Sequence, residues 1–153
     1  MPLIDADIPA LNLRWANGNP DAADFLTNWA RICRVADDIA DGDSQDFVAD
    51  MSELLIRALT VNAGNRFFQA NASALSAVMV NAILLWRKAE EWRDSDNRKT
   101  RMFGFVGREA CEHVLFTVAN ITGGPSHALA VIEQHHQLSH QTSDETLEDW
   151  EAE

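Results

Sequence analysis

An all-α fold, a single-domain bundle of about five helices, is what this sequence predicts. Three observations carry that expectation. Apolar residues recur at helical spacing over long stretches rather than alternating at strand spacing. The 7 glycines and 4 prolines fall almost entirely between those stretches. Hydrophobic residues make up 46% of 153 residues, enough for a packed core and too many for wholesale disorder. A chain of this length corresponds to one domain, since single domains usually run about 100 to 200 residues.

The elements follow in order. Residues 1–19 read as irregular, with Pro2, Pro9 and the turn Asn17-Gly18-Asn19-Pro20. Pro20-Asp21 opens a first helix whose face carries Phe25, Trp29, Cys33, Ala36 and Ala40, and Asp41-Gly42-Asp43 ends it. Ser44, with Asp46 close behind, is placed to cap a second helix bearing Phe47, Met51, Leu54, Leu55, Ala58 and Leu59. Residues 65–72 are open between a short helical turn and a lead-in to the third helix, which runs from about Ser73 to Arg93. Asp94-Ser95-Asp96-Asn97 breaks the pattern. A fourth helix spans about Arg98 to Ile121, Thr122-Gly123-Gly124-Pro125 stops it, and a fifth runs from Ser126 to near His140. The helical domain is therefore expected over residues 1–141. Residues 142–153 hold six acidic side chains and no basic one, which reads as a solvated tail in which Leu147 and Trp150 are the residues able to dock.

Charge narrows the function. Lys and Arg number 12 against 24 Asp and Glu, a formal net charge of −12. A general nucleic-acid binder needs the opposite sign, and an anionic lipid surface would repel this chain. No unbroken apolar run reaches the roughly 18 residues of a membrane span, and no secretory signal pattern opens the sequence. Cys33 and Cys111 read as small buried hydrophobes in a reducing compartment, so the expected location is cytoplasmic.

The most informative stretch is Trp29-Ala30-Arg31-Ile32-Cys33-Arg34-Val35-Ala36-Asp37-Asp38-Ile39-Ala40-Asp41-Gly42-Asp43. Asp37 and Asp41 are four apart, so they lie about 40° from one another on a helix surface, one turn above the other. Asp38 points about 100° further round, toward solvent or an outer position. Stacked carboxylates repel unless a cation intervenes, and Mg²⁺ takes oxygen ligands while keeping waters that a phosphate can replace. Acidic residues at a helix C-terminus also oppose the macrodipole, a local conflict that functional sites tolerate. The plainer reading is a wet helix end in which Arg34 pairs with Asp37 or Asp38.

Three further groups stand out. Glu109, Glu112 and His113 fall within one helical turn and share a face with Met102, Phe105 and Phe116, so they need partners or a metal if buried. The alternative is neutralisation by Arg31, Arg34 or Arg57. If the site is real, Glu109 and Glu112 are expected to face Asp37 and Asp41 across the bundle. Residues 86–108 carry Arg87, Lys88, Arg93, Arg98, Lys99, Arg101 and Arg108, seven of the 12 basic residues. Arg98, Lys99 and Arg101 gather at a predicted helix N-terminus and, with Arg34, form the candidate diphosphate-binding set. Arg87 and Lys88 instead suit surface pairs with Glu91. Finally, Glu133-Gln134-His135-His136 contains one Glu-x-x-His spacing, and His136 and His140 are four apart. Di-iron bundles use that spacing twice, and helix-end histidines also suit the dipole with no further role.

The run Cys33-Arg34-Val35-Ala36-Asp37-Asp38-Ile39-Ala40-Asp41 resembles the first aspartate-rich motif of the squalene and phytoene synthases, which have the all-α isoprenoid (terpenoid) synthase fold. It also resembles a stretch found in small phage-type proteins. The synthase resemblance implies Mg²⁺ held by the residues matching Asp37 and Asp41 and bridging to an allylic diphosphate. Family members are longer and carry a second aspartate-rich motif, for which Glu109 and Glu112 are the available substitutes here.

The leading expectation is thus Mg²⁺-dependent binding or turnover of a diphosphate-bearing small molecule. An all-α nucleotide pyrophosphohydrolase is the alternative enzyme, with Glu91-x-x-Asp94 the nearest echo of its acidic pairs. A non-catalytic helical interaction protein is the third reading. A homodimer is expected if a second copy is needed to complete a cavity.

Overall fold

The computed structural model describes residues 7–141 and 143–152, and every regular element among them is helical. The chain divides into two compact units, Asp7–Ala72 and the chain from Ser73 onward.

The first unit begins with a helix in a stretch expected to be irregular, α1 (Ile8–Trp15). Asp7 caps it by accepting from the Ala10 N–H. Pro9 lies in the first turn, where a missing N–H breaks no helical bond. Pro2 falls outside the described residues. Asn17 and Gly18 then take left-handed conformations, with φ of 52° and 78°. That turn brings Asn19 to the start of α2 (Pro20–Ala40), where it accepts from the Ala22 N–H at 3.1 Å. The buried stripe of α2 is Ala22, Phe25, Leu26, Trp29, Ile32 and Val35. Cys33 and Ala36, expected on that stripe, are half-buried, so the core face lies one position to the side of the expected one.

Helix α3 (Phe47–Ile56) is capped by Asp46, which accepts from the Ala49 N–H. The Ser44 hydroxyl, expected to be the cap, donates instead to Asp50 at 2.7 Å. Phe47, Leu55 and Leu59 were expected in the core, yet they are exposed together with Val48 and Ile56. A π-type turn, Arg57–Val61, and a short helical turn, Asn62–Gly64, follow. Polar contacts hold this region to α2. Buried Asn28 donates to buried Asn62 at 2.6 Å and accepts from the Arg57 guanidinium at 3.1 Å. Glu53 accepts from Arg31 at 2.8 Å and from Arg57 at 2.7 Å.

Those two guanidiniums hold the Glu53 carboxyl down from 4.5 to about 2. The ionised form is favoured by the fold, so its contribution is present above pH 4.5 and is lost as pH falls toward 2. Acid unfolding of Glu53→Gln and the native protein should therefore differ at neutral pH and converge near pH 2. Curves separated by the same amount at every pH would sink this assignment.

Helix α4 (Arg66–Arg93) starts earlier than expected and absorbs the open residues 65–72. Phe67 and Phe68 in its first turn face Phe25, at centroid distances of 6.3 and 5.7 Å. Asn71 leaves helical geometry (φ −124°, ψ 18°). Beyond it, Leu75, Ala82 and Ala89 are fully buried at seven-residue spacing, a narrow seam of the coiled-coil kind. The outward positions Val80, Ile83 and Leu84 are exposed. By length and composition alone α4 reaches the range of a membrane span, with mean hydropathy 1.4 over its most apolar 18 residues, although it contains no unbroken apolar run of that length.

In the second unit α5 (Arg98–Gly107) is capped by Asn97, which accepts from the Lys99 and Thr100 N–H groups. A 3₁₀ turn, Arg108–Cys111, interrupts what read as one continuous fourth helix. Helix α6 (Glu112–Ser139) is itself broken at Gly124 (φ 77°, ψ 179°), next to Pro125, where the sequence predicted a stop. Its buried face holds Val114, Leu115, Val118, Ala128, Val131 and His135. The acidic C-terminal stretch forms a short helix, α7 (Leu147–Trp150), and is not wholly solvated, because Trp150 is completely buried. Cys33 and Cys111, expected to be buried, are both half-buried and form no disulfide.

Candidate metal centre

The 3₁₀ turn decides which side chains converge. With three residues per turn, it breaks the α-helical register that would stack Glu109, Glu112 and His113. Glu109 lies on the turn itself, paired with Arg108 at 3.4 Å and 42% exposed. His113 is exposed, with its ring 6.2 Å from that of Phe116. Glu112 alone of the three turns inward, as the first residue of α6.

There it meets two histidines from the other end of α6. One Glu112 oxygen is 2.7 Å from His140 Nε2, and the other is 3.6 Å from His135 Nδ1. One ligand atom from each of the three residues lies within 4.8 Å of the other two. His135 sits edge-on to Phe116 at 81°, with ring centroids 5.9 Å apart. Its Nε2 is 3.3 Å from the Ser139 hydroxyl, one turn on. That contact leaves Nδ1 as the nitrogen directed at Glu112. His140 reaches the same place because it is the C-cap of α6, with φ −103° and ψ −36°.

The electrostatics follow from burial. Desolvation pushes the Glu112 carboxyl up to about 7, with nearby Glu109 adding to the rise and His140 opposing it. Burial, then the neighbouring His140 and His136, pushes His135 down to about 4. A neutral imidazole beside a carboxylate that lacks sufficient positive compensation is the state a divalent cation would use. Tetrahedral Zn²⁺ holds N and O ligands at about 2.0–2.1 Å, so its ligand atoms stand about 3.3 Å apart. Here the two imidazoles stand 2.7 and 3.6 Å from separate Glu112 oxygens and the three ligand atoms lie within 4.8 Å of one another, so a bound ion would draw them closer together. Ser139 supplies the outer contact that orients a ligating imidazole. A Glu112–His140 pair could serve structure alone, but it does not require His135 on the second carboxylate oxygen.

The aspartate motif is arranged differently. Asp38 is paired with Arg34 at 2.8 Å, as the four-residue spacing suggested. Asp37 is half-buried, and Asp41 is the exposed C-cap of α2. None of the three belongs to the converging set among the described residues. They lie in the first unit, whereas Glu109, Glu112 and His113 lie in the second. Arg31 and Arg57, the proposed neutralisers of Glu109 and Glu112, are engaged by Glu53. Of the candidate diphosphate set, Arg98 pairs with Glu148 and Arg101 with Glu151, while Lys99 is exposed. A cleft of about 390 Å³ in the first unit is bordered by Asp21, Asp24, Asn28, Asn62 and Arg66, and none of the predicted site residues lines it.

Of the three converging residues only Glu112 belongs to the expected set, grouped there with Glu109 and His113 rather than with His135 and His140. The available signal was the histidine cluster itself. Helical spacing drew attention to His136 with His140, and to Glu133 with His136, yet Glu133 and His136 are exposed. No protein-family model matches the chain, and no curated protein or solved structure does either.

Proposed function

We propose that this chain is a helical metal-binding protein in which Glu112, His135 and His140 hold one divalent transition metal, zinc above all. The supporting observation is the convergence of two imidazoles and a carboxylate within 4.8 Å at the end of α6. Mixed nitrogen and oxygen donors suit Zn²⁺ or Fe²⁺ better than Mg²⁺, which prefers oxygen alone. Three protein ligands leave a coordination position for water or an exogenous ligand, the feature that separates reactive centres from closed structural ones.

Thermal unfolding with and without Zn²⁺ tests the reading. A ligand at about 100 times its dissociation constant adds about 2.7 kcal/mol to stability. That shift should appear in the native protein and in His136→Ala, a variant of the exposed neighbouring histidine. It should vanish in His140→Ala. An equal shift in His140→Ala would overturn the site.

A Mg²⁺–diphosphate reading of Asp37 and Asp41 has its own support. The last turn of α2 carries acidic residues and no basic one, against the helix dipole. Its signature is a Tm rise that needs Mg²⁺ and inorganic diphosphate together and disappears in the Asp37→Asn/Asp41→Asn double variant. A rise that persists in that variant would dismiss it.

A further inference from the structure

The arginine-bearing side of α5 already holds an occupant. The segment Ser143–Ala152 folds back on it through a capping box, in which the Asp149 N–H donates to the Thr146 hydroxyl and the Thr146 N–H donates to the Asp149 carboxylate at 2.9 Å. This sets Trp150, 0% exposed, against the Phe105 ring at a centroid distance of 5.9 Å. The Arg93 and Arg108 guanidiniums lie 5.2 and 5.7 Å from the Trp150 ring. Gly104 forms the floor, since a Cβ there would come within 2.8 Å of the indole. Around the aromatic anchor, Arg98 meets Glu148, Arg101 meets Glu151 and Arg108 meets Glu145. In a chain of net charge −12, this concentration of guanidiniums is locally exceptional.

The hold on this segment is of a kind that opens. A four-residue helix has no stability of its own. Of the three ion pairs only Arg98–Glu148 is exposed on both sides, while Arg101–Glu151 and Arg108–Glu145 are half-covered. Near a surface such pairs contribute little each and weaken with salt. What remains is one tryptophan in a groove, so the segment belongs to the parts of a structure that detach below the global unfolding free energy.

We propose that the groove of Gly104, Phe105, Arg93, Arg101 and Arg108 is a recognition site for acidic, tryptophan-bearing segments of a partner protein, and that Ser143–Ala152 is its tethered, displaceable resident. The partner's chemistry is read from the resident: an indole for the slot between the guanidiniums, with carboxylates on both sides. A tethered segment presents itself at roughly millimolar effective concentration, so a free competitor with a dissociation constant of about 0.1 mM meets a penalty of about tenfold.

The test uses the full chain and a fluorescent peptide with the sequence of residues 143–152. The Trp150→Ala variant vacates the slot, and Glu145→Gln/Glu148→Gln/Glu151→Gln loosens the resident while keeping its indole. Each should bind the peptide about tenfold more tightly than the native chain, and less tightly at high salt. Arg101→Glu should remove the gain, and a peptide with alanine for its tryptophan should not bind. The proposal is overturned if neither variant gains affinity, or if the tryptophan-free peptide binds equally. Loss of the fold in both variants would also overturn it, because the segment would then be core. So would a concentration-dependent dimer of the native chain that exchanges this segment, since a second copy would then be the occupant.

Discussion

Phe25→Ala should be the most damaging single substitution in the unit Asp7–Ala72, at about 3–5 kcal/mol, the usual cost of emptying a buried phenylalanine site. Phe25 is 1% exposed and packs on the rings of both Phe67 and Phe68. Truncation therefore removes apolar burial and two ring contacts at once. The Phe68 ring is nearly parallel to Phe25, at 24°, and such ring pairs add about 0.5–1.5 kcal/mol beyond area. For a unit of this size each kcal/mol moves Tm by about 4–8 °C, so a fall of at least about 12 °C is expected by calorimetry. The comparison is Phe47→Ala, which removes the same side chain from a position 58% exposed and should change stability by less than about 0.5 kcal/mol. Equal effects at the two positions would show that the aromatic contacts around Phe25 do not hold this unit.

Phe25 and Phe47 also mark how far the sequence could be read. Both begin convincing helical patterns, and both helices exist. Periodicity identifies which residues share a face, but it does not say whether another element covers that face. For α2 there was cover: Phe25 and Trp29 are buried, and Phe67 and Phe68 of α4 pack on Phe25. For α3 and the turn after it there was not, and Phe47 and Leu55 of α3 and Leu59 of the π-type turn remain exposed. Gly124-Pro125 was legible as a break because its chemistry is local, a positive φ beside a residue lacking an N–H. Helix α1 was illegible for the opposite reason: Pro9 looks like a breaker until Asp7 is seen to cap the turn containing it.

The site was legible in part for a related reason. Glu112 stood out because a carboxylate among apolar neighbours needs a partner. Its partners lie 23 and 28 residues further on, beyond the Gly124 break, and no spacing rule connects positions separated by a kink. The 3₁₀ turn had the same consequence on the other side, taking Glu109 and His113 out of register with Glu112. The basic cluster was correctly placed at the start of α5, but its present anions come from Glu148 and Glu151 in the C-terminal segment.

Glu112→Gln should raise the stability of the metal-free protein while abolishing its response to zinc. Burial lifts this carboxyl from 4.5 to about 7. Between those values the folded chain holds the proton and the unfolded chain releases it, so the native protein loses stability as pH rises. Below pH 4.5 the carboxyl is protonated in both states and the penalty is absent; above pH 7 it is complete. At face value the displacement corresponds to about 3 kcal/mol, which screening at this partly open site reduces to about 1–2 kcal/mol. Glutamine keeps the shape and carries no charge to desolvate, so Glu112→Gln should exceed the native Tm above pH 7 in the presence of a chelator and match it near pH 4. The His135 displacement acts with the opposite sign, since its neutral form is favoured and stability falls as pH drops from 6.5 toward 4. Both proteins retain His135, so its fall in stability at acid pH enters both profiles and leaves the difference above pH 7 to the Glu112 carboxylate. With zinc present the order should reverse at neutral pH: the native carboxylate gains a cation, and glutamine replaces an anionic ligand with a weak neutral one. A crossing of the two proteins' stabilities on metal addition is what a binding site produces, since a residue that costs stability when empty is repaid only by its ligand. Parallel pH profiles with no crossing would make Glu112 an ordinary partner of His140 and remove the reason to place a metal here.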